Sequence, residues 1–358
     1  MQTDGRIGIF GGTFDPVHIG HIKLAEAARV QAGLSRVLFM PAHIQPFKQD
    51  EEVSSDDDRL RMLRLALAGL PEFEVTTFEL DKGGVSYTID SLRALREEYD
   101  AGLCFIIGTD MFLNIEKWHE AEALLREFDF AVGVRPGYEH DEAVLLAELL
   151  RAVYGTRIDL IDNAPVELSS TEIRRRVKEG LDISEFVPES VRRFLLVREK
   201  VGEKRFEHTK RVIDLAAEMA ERFGEDRDKA ELAALLHDYD KDPSGGVVNN
   251  IYHGAMAAEA AGSVFGVVDE DILNAIRYHT TGRAGMSRLE KIIFLADTVE
   301  PGRTYNSIVR LREECLEDLD KGALRVLMEL REYLLQKGLE VSPDTEAAIE
   351  DLRSGVSK

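Results

Sequence analysis

The feature that most constrains the fold is a change of sequence pattern near residue 200 of this 358-residue chain. Before that point, short apolar runs bounded by turn residues alternate with helical patterns, which is typical of a parallel sheet wrapped by helices. After about Glu203 only helical periodicity continues. The sequence therefore predicts an α/β domain over residues 1–200 and an all-α domain over residues 201–358. The runs that predict strands are Arg6 to Phe10, Val37 to Pro41, Phe73 to Glu79, Leu103 to Gly108, Phe130 to Val134 and Ile158 to Ile161.

Two cores are expected, because a single hydrophobic core seldom grows beyond roughly 250 to 300 residues. In the second half, one apolar stripe predicts a helix that ends at Gly224. The acidic stretch from Gln49 to Asp58 predicts a surface loop, and the polar stretch from Ser342 to Lys358 predicts a frayed terminus. The stripe consists of Val212, Leu215, Ala216 and Met219.

The chain is acidic along its whole length, with a net charge of -22. Residues 1–200 carry 24 basic and 36 acidic side chains, and the remainder carries 21 and 31. This even acidity argues against a nucleic-acid partner. Anionic ligands would therefore need positive charge gathered in a few side chains, helix N-termini or metal ions.

Other sequence features predict a cytoplasmic protein with no membrane partner, and a homo-oligomer is left open. No apolar run approaches the roughly 18 residues that a membrane span needs. Cys104 and Cys315 show no metal-ligand spacing and are expected to be structural.

A glycine turn between the first predicted strand and the first helix favours phosphate binding. Gly11 and Gly12 let backbone amides approach an anion, and the following helix presents its positive N-terminal end. His18 and His21 lie three residues apart on the first turn of that helix. Two imidazoles there can hydrogen-bond an α-phosphate and carry positive charge as the transition state develops. A glycine turn that only shapes the chain is the alternative.

The run from Gly8 to His21 resembles the signature of the nucleotidylyltransferase superfamily. This resemblance implies a Rossmann-like domain in which His18 and His21 bind and polarise the phosphates of ATP and act as the catalytic residues. It also places the residues of the turn against nucleotide, namely Gly11, Gly12, Thr13 and Phe14.

Further segments resemble bacterial nicotinate mononucleotide adenylyltransferases. They are Ser86-Tyr87-Thr88-Ile89-Asp90-Ser91-Leu92, Phe105-Ile106-Ile107-Gly108-Thr109-Asp110, and Arg135-Pro136-Gly137. Trp118 is the only tryptophan; its ring either packs against a helix or stacks on a pyridine base, and the resemblance favours stacking. The resemblance implies nucleotide or substrate contacts at Thr88, Gly108, Asp110, Trp118 and Arg135.

The segment from Ser169 to Arg174 contains a capping box, with a serine three residues before a glutamate. In the same family this motif contacts the ATP triphosphate, which implies roles for Ser170, Thr171 and Arg174. Lys48 follows Phe47 where relatives carry a histidine, and it stays a candidate pyrophosphate contact. The implied reaction transfers AMP from ATP to nicotinate mononucleotide and releases pyrophosphate, with Mg²⁺ on the leaving phosphates.

Histidines and aspartates spread over the helical half form a second constellation. Imidazole and carboxylate together suit iron, manganese, nickel or zinc better than magnesium, and this many ligands can hold one or two ions. The candidate metal ligands are His208, His237, Asp238, His253, His279 and Asp297.

The order and spacing of these residues resemble the HD phosphohydrolase superfamily, and the neighbouring segments resemble bacterial symmetrical diadenosine tetraphosphate hydrolases. The segments are His237 to Lys241, Tyr278 to Gly282 and Ala296 to Arg303. The resemblance implies that His208, His237, Asp238 and Asp297 hold one metal, iron above all, that Asp238 bridges and is catalytic, and that His253 and His279 complete a second. It also implies hydrolysis of diadenosine tetraphosphate to two ADP.

Three alternatives stay open for the helical half. Lys241 and Arg303 either neutralise substrate phosphate or form surface ion pairs. The domain is either a hydrolase or a nucleotide-sensing regulatory module. If it is a hydrolase, its substrate is either diadenosine tetraphosphate or a different nucleotide.

Overall fold

The computed structural model describes residues 5–45, 53–134, 138–162, 169–241, 247–304 and 308–356. By compactness the chain divides into two units, residues 1–192 and 193–358. This division falls inside a helix, Glu189–Val201, which ends just before Gly202 at a positive φ of 75°. The predicted boundary between the two domains, at residue 200, stays a prediction. Within the described residues, no helix has the length and apolar character that crossing a bilayer requires.

The first unit is built on a six-stranded parallel sheet, which confirms the expected α/β architecture. The strand order is β3-β2-β1-β4-β5-β6. The order reverses between β1 and β4, and in open parallel sheets ligands bind outside the carboxyl ends of the strands at such a reversal. The strands are β1 (Ile7–Gly12), β2 (Arg36–Pro41), β3 (Phe73–Val75), β4 (Leu103–Gly108), β5 (Asp129–Val134) and β6 (Ile158–Asp162).

Helices cover the sheet and begin where the sequence supplies a cap. Ser55 accepts from the Asp58 amide at the start of α2, and Ser169 accepts from the Glu172 amide at the start of α8. The helices of this unit are α1 (Ile19–Gln31), α2 (Asp56–Leu67), α3 (Phe78–Lys82), α4 (Thr88–Tyr99), α5 (Thr109–Phe112), α6 (Ala121–Glu127), α7 (Tyr138–Tyr154), α8 (Ser170–Lys178) and α9 (Glu189–Val201).

The described part of the second unit is all-helical, as expected. The stripe that predicts a helix ending at Gly224 is confirmed, because its four residues are buried and Gly224 caps α10 with a φ of 69°. After α9 the helices are α10 (Glu203–Phe223), α11 (Arg227–Leu236), α12 (Val247–Phe265), α13 (Glu270–Arg277), α14 (Arg288–Val299), α15 (Ile308–Glu317), α16 (Leu319–Gln336) and α17 (Pro343–Val356).

Three local predictions were wrong. The third strand ends at Val75, and Phe78 begins α3 instead of continuing the strand. Residues 56–58 are not loop but the first turn of α2, where carboxylates interact favourably with the helix dipole. The polar C-terminal stretch forms α17, because Ala348, Ile349 and Leu352 give it a buried apolar stripe.

The close contact between α15 and α16 gives a stability prediction. A Cβ at Gly322 would lie 2.8 Å from Cys315 Cα and 3.0 Å from its Sγ. We therefore expect Gly322→Ala to lower the free energy of unfolding by about 1–3 kcal/mol through overpacking. Denaturant unfolding followed by circular dichroism measures the change.

Gly355→Ala in α17 is the matched control, since a Cβ there meets no atom within 4 Å. It gains the same helix propensity without the clash and should raise stability by about 0.5–1 kcal/mol. Equal effects of the two substitutions would show that the α15–α16 contact does not limit the space at Gly322.

Candidate functional sites

The two glycines expected in a turn form the carboxyl end of β1 and lead into the turn, and they have no room for side chains. A Cβ at Gly12 would lie 2.9 Å from the ring of Phe14, and one at Gly11 would lie 3.0 Å from the ring of Phe105. Phe14 is buried and adopts a positive φ of 53°, with its ring edge-on to Phe10 at 5.5 Å. Packed aromatic rings thus hold the main chain of the turn at the carboxyl end of β1, where an anion can approach its amides.

His18 and His21 stand together at the start of α1. His18 is the N-cap residue, and the two rings stack with centroids 3.7 Å apart. The backbone amide of His18 donates to His21 Nδ1 at 3.2 Å, so the proton of a neutral His21 lies on Nε2. Burial, followed by the nearby His18 imidazole, holds the pKa of His21 well below its ordinary value. His21 can therefore donate a hydrogen bond through Nε2, and the role of the two imidazoles on a phosphate stays a prediction.

A cleft of about 1020 Å³ opens at this edge of the sheet, where β1 and β4 are neighbours. It brings together nearly every site residue that the sequence predicts in this unit. Lys48 and Arg135 lie outside the described residues. The predicted residues that line the cleft are Gly11, Gly12, Thr13, Phe14, His18, His21, Thr88, Gly108, Asp110, Trp118, Ser170, Thr171 and Arg174.

The N-terminus of α8 is tied directly to the turn. Ser170 Oγ donates to the Pro16 carbonyl at 2.9 Å, and Arg174 Nη1 donates to the Asp15 carbonyl at 2.5 Å. Arg174 Nη2 also lies 3.4 Å from Thr171 Oγ1. These contacts place two helix N-termini, those of α1 and α8, around the same cleft, which suits a polyphosphate.

Trp118 lies at the cleft and packs against strand β4, and its stacking on a pyridine base stays a prediction. Its ring packs edge-on to Phe105, with centroids 6.0 Å apart, and it also lines the cleft. Packing therefore fixes the ring, and the part that faces the cleft is available to a flat base.

Two buried charged residues that support the turn were missed. Arg59 is 1% exposed and donates to the Thr13 carbonyl at 2.8 Å and to the Ser54 carbonyl at 3.3 Å. Asp15 is 2% exposed and accepts from the Ser54 amide at 3.1 Å. A signal existed for Arg59, because it shares the buried face of α2 with apolar Met62 and others.

In the second unit the six predicted metal ligands come together in space. The candidate ligands form two groups, and within each group the ligand atoms lie within 4.8 Å of one another. The first group is His208, His237 and Asp297, and the second is His237, Asp238 and His279. His253 joins the second group, with Nε2 2.8 Å from Asp238 Oδ1 and 3.0 Å from His279 Nε2. His237 belongs to both groups and lies at the middle of the cluster.

The imidazoles are held with their Nε2 atoms facing inward. His237 Nδ1 donates to the Ala234 carbonyl at 2.6 Å, and His279 Nδ1 donates to the Ile276 carbonyl at 2.7 Å. A carbonyl only accepts, so the neutral rings carry their proton on Nδ1 and offer Nε2 as a ligand. Burial lowers the pKa of His237 to about 4, which keeps this ring neutral.

The two aspartates are ionised despite their burial. Burial opposes ionisation of Asp238, but His237, His253 and His279 hold its pKa far below the ordinary range. The side chain of Asp297 is 14% exposed, and although its partial burial opposes ionisation, His208 and His237 lower its pKa. His237 Nε2 is buried and finds no hydrogen-bond partner among the described residues. An inward-facing lone pair beside two carboxylates fits a divalent transition metal.

Cationic side chains contact the ligand carboxylates. Lys241 Nζ lies 3.2 Å from both oxygens of Asp238, and Arg303 Nη2 lies 3.0 Å from Asp297 Oδ1. Arg205, which the sequence analysis missed, donates to Asp238 Oδ2 at 3.0 Å. Lys241 and Arg303 thus pair with the cluster itself.

Two protein-family models match the chain. The one described as Cytidylyltransferase-like matches residues 9–176, and the one described as HD domain matches residues 205–302. An HD domain implies a divalent metal, and the cluster of histidines and aspartates lies within this matched range.

Curated relatives match the first unit. A Moorella thermoacetica protein named "Probable nicotinate-nucleotide adenylyltransferase" is 40% identical over 200 residues, which are 55% of this chain and 92% of that protein. A protein of the same name from Aeromonas salmonicida is 43% identical over 197 residues, 52% of this chain and 92% of its own length.

A crystal structure matches the second half. It is described as a predicted HD superfamily hydrolase involved in NAD metabolism from Clostridium acetobutylicum. It is 34% identical to this chain and covers 46% of it and 96% of its own chain, with a TM-score of 0.44.

The approach of α12 to α13 gives a prediction for the metal cluster. A Cβ at Gly254 would lie 2.5 Å from the Arg277 carbonyl oxygen and 3.0 Å from that of Ile276, which holds His279. We expect Gly254→Ala to displace His253 and His279 and to weaken metal affinity by about 10-fold or more. Metal titration of the purified chain measures this.

Gly262→Ala, in the same helix, is the control, because its Cβ would meet only the Val267 carbonyl oxygen at an ordinary 3.7 Å. It should leave metal affinity unchanged. Normal metal affinity in both variants would contradict a role for the close α12–α13 contact in shaping the cluster.

Proposed function

The N-terminal half of the chain belongs to the nicotinate-nucleotide adenylyltransferases, and from this premise we propose a bifunctional enzyme. Its first reaction transfers AMP from ATP to nicotinate mononucleotide, giving nicotinate adenine dinucleotide and pyrophosphate, a step of NAD biosynthesis. The observation that carries this proposal is the single cleft that joins the glycine turn, His18, His21 and the N-terminus of α8.

In this reaction a phosphate oxygen of nicotinate mononucleotide forms a bond to the α-phosphorus of ATP. The bond from the α-phosphorus to the oxygen that bridges it to the β-phosphorus breaks, and pyrophosphate leaves. Both substrates are anionic, so the chain must bind and orient them against their mutual repulsion. Mg²⁺ bound with ATP supplies charge neutralisation of the leaving pyrophosphate. The reaction requires no nucleophilic side chain.

The residues of the cleft divide this work. His21 Nε2 and the His18 ring donate to the α-phosphate, while Ser170, Thr171 and Arg174 bind the rest of the triphosphate at the N-terminus of α8. Thr88 and Trp118 line the cleft where the pyridine nucleotide would bind. Lys48 and Arg135 stay candidates for phosphate and nucleotide contacts.

The second reaction that we propose is metal-dependent hydrolysis of diadenosine tetraphosphate to two ADP at the HD domain. The support is the ligand cluster, in which the neutral His237 imidazole faces two ionised aspartates. His208, His237, Asp238 and Asp297 would hold one ion, and His253 and His279 would complete a second with Asp238. Iron fits this mixed set best, with manganese, nickel and zinc as other candidates.

Bound metals would supply Lewis-acid polarisation of phosphate and activation of water. The chain's own contribution is cationic. Arg205 and Lys241 on the Asp238 side, and Arg303 on the Asp297 side, are placed to neutralise phosphate on both flanks of the cluster. Cations on both flanks favour a substrate that is cleaved within a polyphosphate chain.

Reciprocal substitutions test the two reactions. We expect His18→Ala to lower dinucleotide synthesis by about 100-fold or more while ADP release from diadenosine tetraphosphate persists, because it removes a donor to the transferred phosphate. Asp238→Ala should do the reverse, because it removes a carboxylate that would hold the metal. Chromatography of both product mixtures from the purified chain measures these rates.

Loss of both activities in either folded variant would contradict two separate sites. The alternative, a sensing module without turnover, predicts that the wild-type chain loaded with Fe²⁺ or Mn²⁺ binds diadenosine tetraphosphate but releases no ADP. A panel with deoxynucleotides and cyclic dinucleotides distinguishes the proposed substrate from other nucleotides.

A further inference from the structure

We propose that Glu300 is the positioning residue that orients the metal ligand His208, an inference that rests on the metal centre proposed above. Glu300 follows the last residue of α14 and is 2% exposed. The Glu300 carboxylate contacts one ring nitrogen of His208, and Asp297 contacts the other.

The contacts of His208 on its two ring nitrogens define this role. His208 Nδ1 lies 3.1 Å from Glu300 Oε1, and His208 Nε2 lies 3.0 Å from Asp297 Oδ1. Because an ionised carboxylate only accepts, Nδ1 donates its proton to Glu300. Nε2 is thereby turned towards Asp297 and His237, where a metal would bind.

Glu300 is itself fixed from several directions. Arg211 Nε donates to Glu300 Oε2 at 2.6 Å, and the Gly302 amide donates to the same oxygen. Arg211 lies one helical turn after His208 on α10, so both meet the same carboxylate. The main-chain carbonyl of Glu300 accepts from Arg312 Nη2 at 3.0 Å.

Gly302 is required for this arrangement. A Cβ at Gly302 would lie 2.5 Å from Arg211 Nε and 2.6 Å from its Nη2. The absence of a side chain at this position therefore lets the Arg211 guanidinium reach Glu300. This gives a specific structural reason for a glycine at position 302, three residues after the end of α14.

His208 differs from two other imidazoles of the cluster in the kind of group that holds it. His237 and His279 donate to main-chain carbonyls, whereas His208 donates to a charged side chain. A carboxylate makes the opposite ring nitrogen a stronger ligand than a carbonyl does. Substitution of Glu300 removes this hydrogen bond to His208 without changing any of the candidate metal ligands.

Glu300→Gln tests the proposal, because it keeps the size of the side chain and removes its charge. The metal-free full chain is titrated with Co²⁺ against a competing chelator, and the visible absorption of bound Co²⁺ reports its coordination. We expect about 10-fold weaker Co²⁺ binding and a changed spectrum, and about 100-fold weaker binding for Glu300→Ala. Glu300→Asp, which restores the charge, should recover part of the affinity.

Glu290→Gln is the matched control. Glu290 is also 2% exposed, lies in the first turn of α14, and pairs with Arg283 at 2.6 Å, but it contacts no residue of the cluster. Its substitution should lower thermal stability and leave the Co²⁺ affinity and spectrum of the wild type. Equal loss of Co²⁺ affinity in the Glu290 and Glu300 variants would overturn the proposal, because the effect would then be general destabilisation.

Arg211→Gln provides a second variant in case Glu300 variants do not fold. It leaves Glu300 in place but removes one of its donors, so a smaller loss of Co²⁺ affinity is expected. Wild-type affinity and spectrum in both the Glu300→Gln and Arg211→Gln chains would overturn the positioning role while leaving the metal centre intact. Failure of the wild-type chain to bind Co²⁺, Mn²⁺ or Fe²⁺ would overturn the proposed centre and this inference with it.

Discussion

Buried charge has to be compensated, and this constraint decides how both candidate sites are built. Moving a carboxylate or a guanidinium out of water costs several kcal/mol unless opposite charge and hydrogen bonds replace the water. In the second unit Asp238 and Asp297 meet this requirement through imidazoles and guanidinium groups. The helices that carry these partners must therefore converge, and the cluster and the helical core specify one another.

The same constraint operates in the first unit with the signs reversed. Arg59 is buried beneath the glycine turn, and main-chain carbonyls of Thr13 and Ser54 take its hydrogen bonds. Asp15 is buried within the turn and receives the Ser54 amide. These contacts stabilise a turn whose glycines and positive-φ Phe14 would otherwise cost conformational entropy and strain. Arg174, which would touch a nucleotide, also contacts Asp15, so the groups that hold the turn and those that would bind phosphate are connected.

Local patterns predicted the elements of the fold well, and ordered motifs predicted candidate ligand residues that lie together in the structure. The role of these residues as metal ligands stays a prediction. The strand pattern failed at β3, where the apolar run continues into α3 and the pattern does not show where pairing with β2 ends. The sequence did not reveal Arg205 or Glu300 as parts of the cluster. Their partners lie 33 and 92 positions away in the chain, and such tertiary hydrogen bonds leave no periodic signal.

The two sites differ in what supplies their chemistry. The first depends largely on main chain, since glycines, helix N-termini and backbone carbonyls shape the cleft around His18 and His21. The second depends on side chains from separate parts of the helical unit, and His208, His237 and His279 are each fixed by an acceptor. A main-chain site is preserved by keeping the turn short and free of Cβ atoms, whereas a side-chain site is preserved by keeping the acceptors. A strand-turn-helix motif is therefore sufficient to predict the first site, whereas the proposed metal centre also depends on residues that are not metal ligands, such as Glu300.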